Sequence, residues 1–140
     1  VNRILGEERM ITSNVPGTTR DAVDADFERH GRAYTIIDTA GLRRRARTQG
    51  IEEKFSAVQT LHALDRAQVA LLLIDAQDGL TEQDLHLLGM VLESGRALVV
   101  VVNKWDGLDT EKRERIHREI DRRLRFAHFA EVRCISALHG

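Results

Sequence analysis

Two unbroken apolar runs, Val69-Ala70-Leu71-Leu72-Leu73-Ile74 and Leu98-Val99-Val100-Val101-Val102, set the frame of the chain. Short runs of this kind, leucine-rich or β-branched, predict strands buried on both faces in a parallel sheet covered by helices. Residues 34–37 and 132–135 predict two further strands. Val23, Ala25 and Phe27 alternate with Asp24, Asp26 and Glu28, the pattern of a half-exposed strand. His30-Gly31 then predicts a turn that pairs this strand antiparallel with the next.

Helical patterns fill the intervals. Over residues 51–64, Phe55, Val58, Leu61 and Leu64 recur at a helix-like spacing. Thr81-Glu82-Gln83-Asp84 resembles a capping box ahead of Leu85, Leu87, Leu88, Val91 and Leu92, and Ser94-Gly95 predicts the helix end. Over residues 110–124, Ile116, Ile120 and Leu124 share one face and charges fill the rest, so residues 111–125 read as an exposed amphipathic helix laced with ion pairs. Strands alternating with helices predict an α/β three-layer fold with a mostly parallel sheet. No repeat, low-complexity tract or linker divides the 140 residues, so one domain over residues 1–140 is expected.

Composition narrows the function. Hydrophobic residues make up 42% and charged residues 31%, and the formal net charge is −1, so no global basic field recruits nucleic acid or an anionic membrane. Any nucleic-acid contact must come from a local patch. The apolar runs fall far short of the ~20 residues that span a bilayer. The single cysteine, Cys134, excludes an internal disulfide and reads as a small apolar strand residue, which suits a reducing cytoplasm. The six histidines show neither zinc spacing nor a nucleophile partner, and surface or structural roles are expected for them. The chain opens Val1-Asn2-Arg3 without an initiator Met, which suggests part of a longer protein.

Three short motifs each follow a predicted strand, where ligands bind in sheets of this kind. Asp38-Thr39-Ala40-Gly41 follows Thr35-Ile36-Ile37. A carboxylate there can hold Mg²⁺ through water, and the backbone N–H of Gly41 can approach a terminal phosphate closely. Alone, the segment reads equally as a strand-ending Asp with a turn glycine. Asn103-Lys104-Trp105-Asp106 follows residues 98–102. The Asp106 carboxylate can accept from guanine N1–H and the 2-amino group, a pair of donors that adenine lacks. Lys104 can lay its aliphatic stem on one face of the base, Asn103 can bridge to neighbouring loops, and Trp105 can shield the base or simply pack. The bland alternative is a polar strand-to-helix turn. Ser136-Ala137-Leu138 follows residues 132–135, and a small residue at Ala137 lets a backbone N–H donate to guanine O6. Upstream, the loop Pro16-Gly17-Thr18-Thr19-Arg20-Asp21 offers a threonine hydroxyl for Mg²⁺ and a backbone N–H for the γ-phosphate, with Thr19 preferred and Thr18 the alternative to it. An ordinary turn entering a strand is the plain reading of that loop. Three motifs at strand ends with the threonine loop upstream, four in this order, make coincidence a poor explanation.

These motifs resemble the effector, metal, base and base-carbonyl elements of the translation-factor-related GTPases. Asn103-Lys104-Trp105-Asp106 with Gly107-Leu108, and Glu53-Lys54-Phe55-Ser56 after an arginine-rich loop, resemble the second G domain of the bacterial Der (EngA) double-GTPase family. Val1-Asn2-Arg3-Ile4-Leu5-Gly6 and Ile135-Ser136-Ala137-Leu138-His139-Gly140 look like the same family's flanks, so the resemblance runs the length of the chain. It implies a P-loop-NTPase-like three-layer fold, GTP and GDP as ligands, and Thr19 and Asp38 at Mg²⁺. Nucleotide contacts are implied at Thr18, Thr39, Ala40, Gly41, Leu42, Asn103, Lys104, Trp105, Asp106, Ser136, Ala137 and Leu138. The implied role is a cytoplasmic GTP-hydrolysing switch in large-ribosomal-subunit assembly, with the ribosomal large subunit or its RNA and the parent's other domains as partners.

The sequence also departs from that pattern. No G-x-x-x-x-G-K-[ST] occurs in it, although such a loop wraps the phosphates and supplies a lysine to them. The resemblance places that loop and the central first strand upstream of a helix ending near Val1–Leu5, and a further helix after Gly140. At about 1.5–3 kcal/mol for each charge-assisted hydrogen bond, losing three would weaken GTP binding by roughly 10³–10⁶. Feeble binding by the 140 residues is therefore expected, as is a break in the sheet between the strands of Asp38 and Asp75 or a substitute strand there. Leu42 follows Gly41 where many GTPases carry a water-orienting glutamine. A leucine cannot orient water, so the resemblance implies K⁺ and switch-loop backbone instead, and no general base is named. Arg43-Arg44-Arg45-Ala46-Arg47 reads as a solvated loop or, more sharply, as a contact for ribosomal RNA phosphates. A rival reading of the whole is a non-catalytic ribosome- or protein-binding module built on a GTPase fold.

Overall fold

Alternation of period two builds the first pair of strands. In the computed structural model, which describes residues 4, 24–39 and 53–139, β1 (Asp24–Arg29) and β2 (Arg32–Ile37) form an antiparallel pair with Asp24 opposite Ile37 and Phe27 opposite Tyr34. His30 and Gly31 both take positive φ, 52° and 72°, as a tight two-residue hairpin turn requires. The rings of Phe27 and Tyr34 stack across the pair at 5.1 Å, and the Thr35 hydroxyl donates to Asp26 at 2.6 Å. Helix α1 (Glu53–Arg66) follows in the same compact unit, which ends at Arg66. Ala63 is buried there with Ile37 packed against it, and the Arg66 guanidinium pairs with Asp24.

The face that α1 buries differs from the expected one. Val58 and Leu61 are exposed at 46% and 44%, whereas Thr60, Ala63 and Leu64 are buried. A spacing of three residues falls short of a full turn by about 60° at each step, so the set 55, 58, 61, 64 winds round the helix. Positions 60, 63 and 64 lie at the i, i+3, i+4 spacing that holds one face.

The second unit, residues 67–140, is a parallel sheet in the order β3-β4-β5, with β3 at Val69–Asp75, β4 at Ala97–Asn103 and β5 at Glu131–Cys134. Asp75 stands opposite Asn103, and Val102 opposite Cys134. Helix α2 (Glu82–Ser94) links β3 to β4, and α3 (Thr110–Arg123) links β4 to β5. Both helices begin as their sequences dictate. Thr81 and Asp84 exchange side-chain and backbone hydrogen bonds as a capping box, with Gly95 closing α2 at φ 70°, and Asp109 caps α3 by accepting from Lys112 N at 2.8 Å. Ile116, Ile120 and Leu124 are buried as one stripe, with the Glu114–Arg118 pair on the exposed side and the Glu119–Arg123 pair half-buried.

The two apolar runs are not buried on both faces. Leu72, Ile74, Leu98, Val100 and Val102 are buried, but Val69, Leu71 and Leu73 are 52–56% exposed. The topology explains this. Strand-helix-strand crossovers are right-handed, and both run in the same direction across β3-β4-β5, so α2 and α3 cover the same face. The core lies on that face, where the fully buried Ile74, Leu88, Val100 and Val102 are each worth about 1.5–3 kcal/mol of burial. β1 and β2 form one two-stranded sheet, and β3, β4 and β5 form another. Among the described residues no helix is long and apolar enough to cross a membrane.

Several expected features lie outside the described residues. They are Thr18 and Thr19 with their loop, Ala40, Gly41, Leu42, the arginines at 43–45 and 47, and the N-terminal flank apart from Ile4.

Candidate functional site

The site is assembled where three parallel strands end together. At the end of β4, Lys104 takes φ 64° and ψ 31°, a left-handed conformation that L residues adopt at a cost of about 1–2 kcal/mol. It turns the chain sharply into a single 3-10 turn, Trp105–Gly107. Hydrogen bonds from both neighbouring strands hold that turn. Ala76 N donates to Asn103 O at 3.0 Å, Ile135 N to Val102 O at 2.8 Å, and Trp105 N to Ile135 O at 3.1 Å. Leu108, buried just beyond the turn, anchors its exit.

Asn103 performs the bridging expected of it. Its Oδ1 accepts from Ala137 N at 2.9 Å, tying the end of β4 to the loop that follows β5. The Ala137 N–H is therefore engaged within the protein, and a base carbonyl reaching it would have to share or displace Asn103. Ser136 lies one residue earlier, and it lines the same cavity as Asp106. The Ser136 side chain foremost, then the backbone at Asp106 and the nearby His139 and Arg113 side chains, hold the Asp106 carboxyl below its ordinary range against some desolvation. Asp106 is thus an ionised acceptor near neutral pH, and its side chain is 44% exposed. Leu138, at 80% exposure, projects from the same loop.

Trp105 packs rather than standing free. The His117 ring meets it edge-on at 5.0 Å, the Arg113 guanidinium lies 5.7 Å from its ring centre, and Arg113 Nη2 donates to Trp105 O at 3.2 Å. A cavity of about 350 Å³ is lined by Trp105, Asp106, Arg113, Cys134, Ile135 and Ser136. Lys104 does not line it, so a base stacked on the lysine stem would lie outside this cavity. Burial raises the Cys134 thiol above its ordinary range, which keeps it an inert wall residue.

The structure therefore gathers Asn103, Lys104, Trp105, Asp106, Ser136, Ala137 and Leu138 on two adjoining loops of one unit. Asp38 and Thr39, half-buried directly after β2, belong to the other unit. Three residues at the site were not anticipated. Asp75, at the end of β3, pairs with the Lys104 ammonium. Arg113 clamps Trp105 from α3. His139, expected to be a surface or structural residue, places Nε2 3.2 Å from Asp106 Oδ2. For Asp75 the signal was available, since it ends an apolar run as Asp38 and Asn103 do.

Comparison with known proteins adds the following. The family described as 50S ribosome-binding GTPase matches residues 1–104. Over all 140 residues the chain is 59% identical to the GTPase Der of Thioalkalivibrio sulfidiphilus, 58% to that of Halorhodospira halophila and 55% to that of Legionella pneumophila. It spans about 30% of the length of these relatives. The fold is similar to that of Era solved with MgGDPNP and nucleotides 1506–1542 of 16S ribosomal RNA, with TM-score 0.66 at 22% identity over 99% of this chain and 46% of that one. It is similar also to elongation factor SelB of Methanococcus maripaludis, with TM-score 0.62 at 18% identity over 84% of this chain and 24% of that one. The expected α/β fold with a parallel sheet is thereby established.

Proposed function

The chain belongs to the 50S ribosome-binding GTPase family, and from that premise we propose that it supplies the guanine-reading part of one G domain in a GTP-hydrolysing switch. The observation that carries this reading is the 44% exposed Asp106 carboxylate, its pKa lowered chiefly by the neighbouring Ser136 hydroxyl, on a turn locked to the ends of β3 and β5. A carboxylate so fixed matches the N1–H and 2-amino donors of guanine and leaves adenine without a partner for it. Lys104 and the Asn103–Ala137 bridge shape the remaining walls. The resemblance of Asn103–Leu108 and of Glu53-Lys54-Phe55-Ser56 supports the second G domain of a Der-type double GTPase. Large-ribosomal-subunit assembly in the cytoplasm is the role consistent with that family.

Thr19 and Asp38 are the proposed Mg²⁺ and phosphate residues. Asp38 leaves its strand at the carboxyl end with a half-buried carboxylate, an oxygen donor of the kind that ion takes. When bound, Mg²⁺ neutralises charge on the phosphates. With Leu42 after Gly41, water is oriented by means other than a glutamine, and K⁺ is the proposed aid.

The test is a base swap at one position. Xanthine carries a carbonyl in place of the guanine 2-amino group, so a carboxamide at position 106 should accept it. In the full-length protein, Asp106→Asn should gain affinity for xanthosine diphosphate and lose it for GDP by about 10²-fold or more at this site. If Asp106→Asn leaves GDP binding intact and xanthosine diphosphate excluded, Asp106 does not read the base. The chain would then be better understood as a binding module on a GTPase fold.

A further inference from the structure

We propose that Asp75 is a positioning residue for the base site: its carboxylate holds the Lys104 ammonium and thereby lays the lysine stem out as a wall for guanine. The inference rests on the guanine-reading role proposed above. The register makes the pairing possible, because Asp75 and Asn103 stand opposite each other at the ends of β3 and β4. Lys104 is the next residue, and its side chain crosses back to β3, where Nζ donates to Asp75 Oδ2.

Asp75 is not a passive surface carboxylate. Its Oδ1 accepts from Gln77 N at 2.9 Å, and its main-chain oxygen accepts from Asp78 N at 3.2 Å and Gly79 N at 3.0 Å. Ala76 N, one residue on, is bonded to Asn103 O at 3.0 Å. The carboxylate is therefore aimed by a turn that is itself fixed to the base-reading turn. At the other end, the left-handed backbone of Lys104 sets the direction of its side chain, and no side-chain cap competes for it. The two side chains are 52% and 30% exposed for Lys104 and Asp75, so the stem remains open to a ligand.

The ionic states agree with the geometry. The hydrogen bond with Lys104 is the leading cause that lowers the Asp75 carboxyl, and the same bond is the leading cause that raises the Lys104 ammonium. A lysine stem is among the most costly side chains to order. One ordered before the ligand arrives spares binding that cost, which is the general source of preorganised affinity.

The experiment is a double-mutant cycle on affinity. It uses the full-length protein in the Asp106→Asn background with xanthosine diphosphate as the probe, so that only this site reports. Asp75→Ala and Lys104→Met should each weaken binding roughly 5–10-fold, and the double variant should be no weaker than Lys104→Met alone. Asp75→Asn, which keeps an acceptor for Gln77 N, should fall between wild type and Asp75→Ala. A purely structural Asp75 would weaken binding equally whether or not Lys104 is present. Additive losses, or no loss from Asp75→Ala where Lys104→Met weakens binding, would overturn the inference. Failure of Asp106→Asn to accept the xanthine base would instead strike the guanine-reading role.

Discussion

Asn103→Ala tests whether the loop after β5 is held by one side chain. The Asn103 carboxamide supplies the acceptor for Ala137 N at 2.9 Å, and both residues are half-buried. The backbone of Asn103 would be untouched, because its oxygen still receives Ala76 N at 3.0 Å. Losing a hydrogen bond of this type costs about 0.5–1.5 kcal/mol net, and leaving a buried donor unpaired raises that to about 1–3 kcal/mol. Half-burial lets water reach part of the gap, so about 1–2 kcal/mol is expected, a factor of roughly 5–30 in the ratio of closed to open loop. Amide hydrogen exchange read at Ala137 by NMR measures that ratio directly, and its protection should drop by the same factor. Asn103→Asp retains an acceptor and should retain the protection, although it places a second carboxylate opposite Asp75. Unchanged protection at Ala137 in Asn103→Ala would show that the loop is held by other contacts and that the bridge is incidental.

How much of this was legible in sequence depended on whether the information was local. The β1-β2 hairpin follows from a period of two and a His-Gly turn, and both caps of α2 follow from residues within one turn of its ends. Ile116, Ile120 and Leu124 hold a spacing that stays on one face, so their burial was readable. The runs in β3 and β4 carry no phase, because every position is apolar. Only the hand and direction of the crossovers decide which face α2 and α3 cover, and that face carries Leu72. The motif Asn103-Lys104-Trp105-Asp106 was legible as letters at a strand end. Its supports were not, since Asp75 lies 29 residues from Lys104, and Asn103 lies 34 from Ala137. Only strand register brings those pairs together.

Two further predictions follow from burial and charge. Leu88 is fully buried on the helix-covered face, and Leu88→Ala should lower the urea unfolding free energy of the 140-residue chain by about 3–5 kcal/mol. A loss below about 1 kcal/mol would mean that the face is not packed as described. The Asp75–Lys104 pair gives a pH window whose sign is fixed by the two shifts. The native carboxyl of Asp75 lies below its ordinary 3.8, so the unfolded chain binds more protons in that range and stability rises with pH there. Its contribution is full above 3.8 and is lost as pH falls through the lower native value. The native ammonium of Lys104 lies above its ordinary 10.5, so its contribution is full below 10.5 and is lost as pH rises through the higher native value. Lys104→Met should therefore cost the same stability from about pH 5 to pH 9, and the cost should shrink as acid protonates Asp75 in the wild type. A difference that persisted undiminished at about pH 2 would mean that the lysine stabilises the turn through its stem and not through the carboxylate. The charge on Asp75 would then be free to act elsewhere, and the positioning role would lose its electrostatic basis.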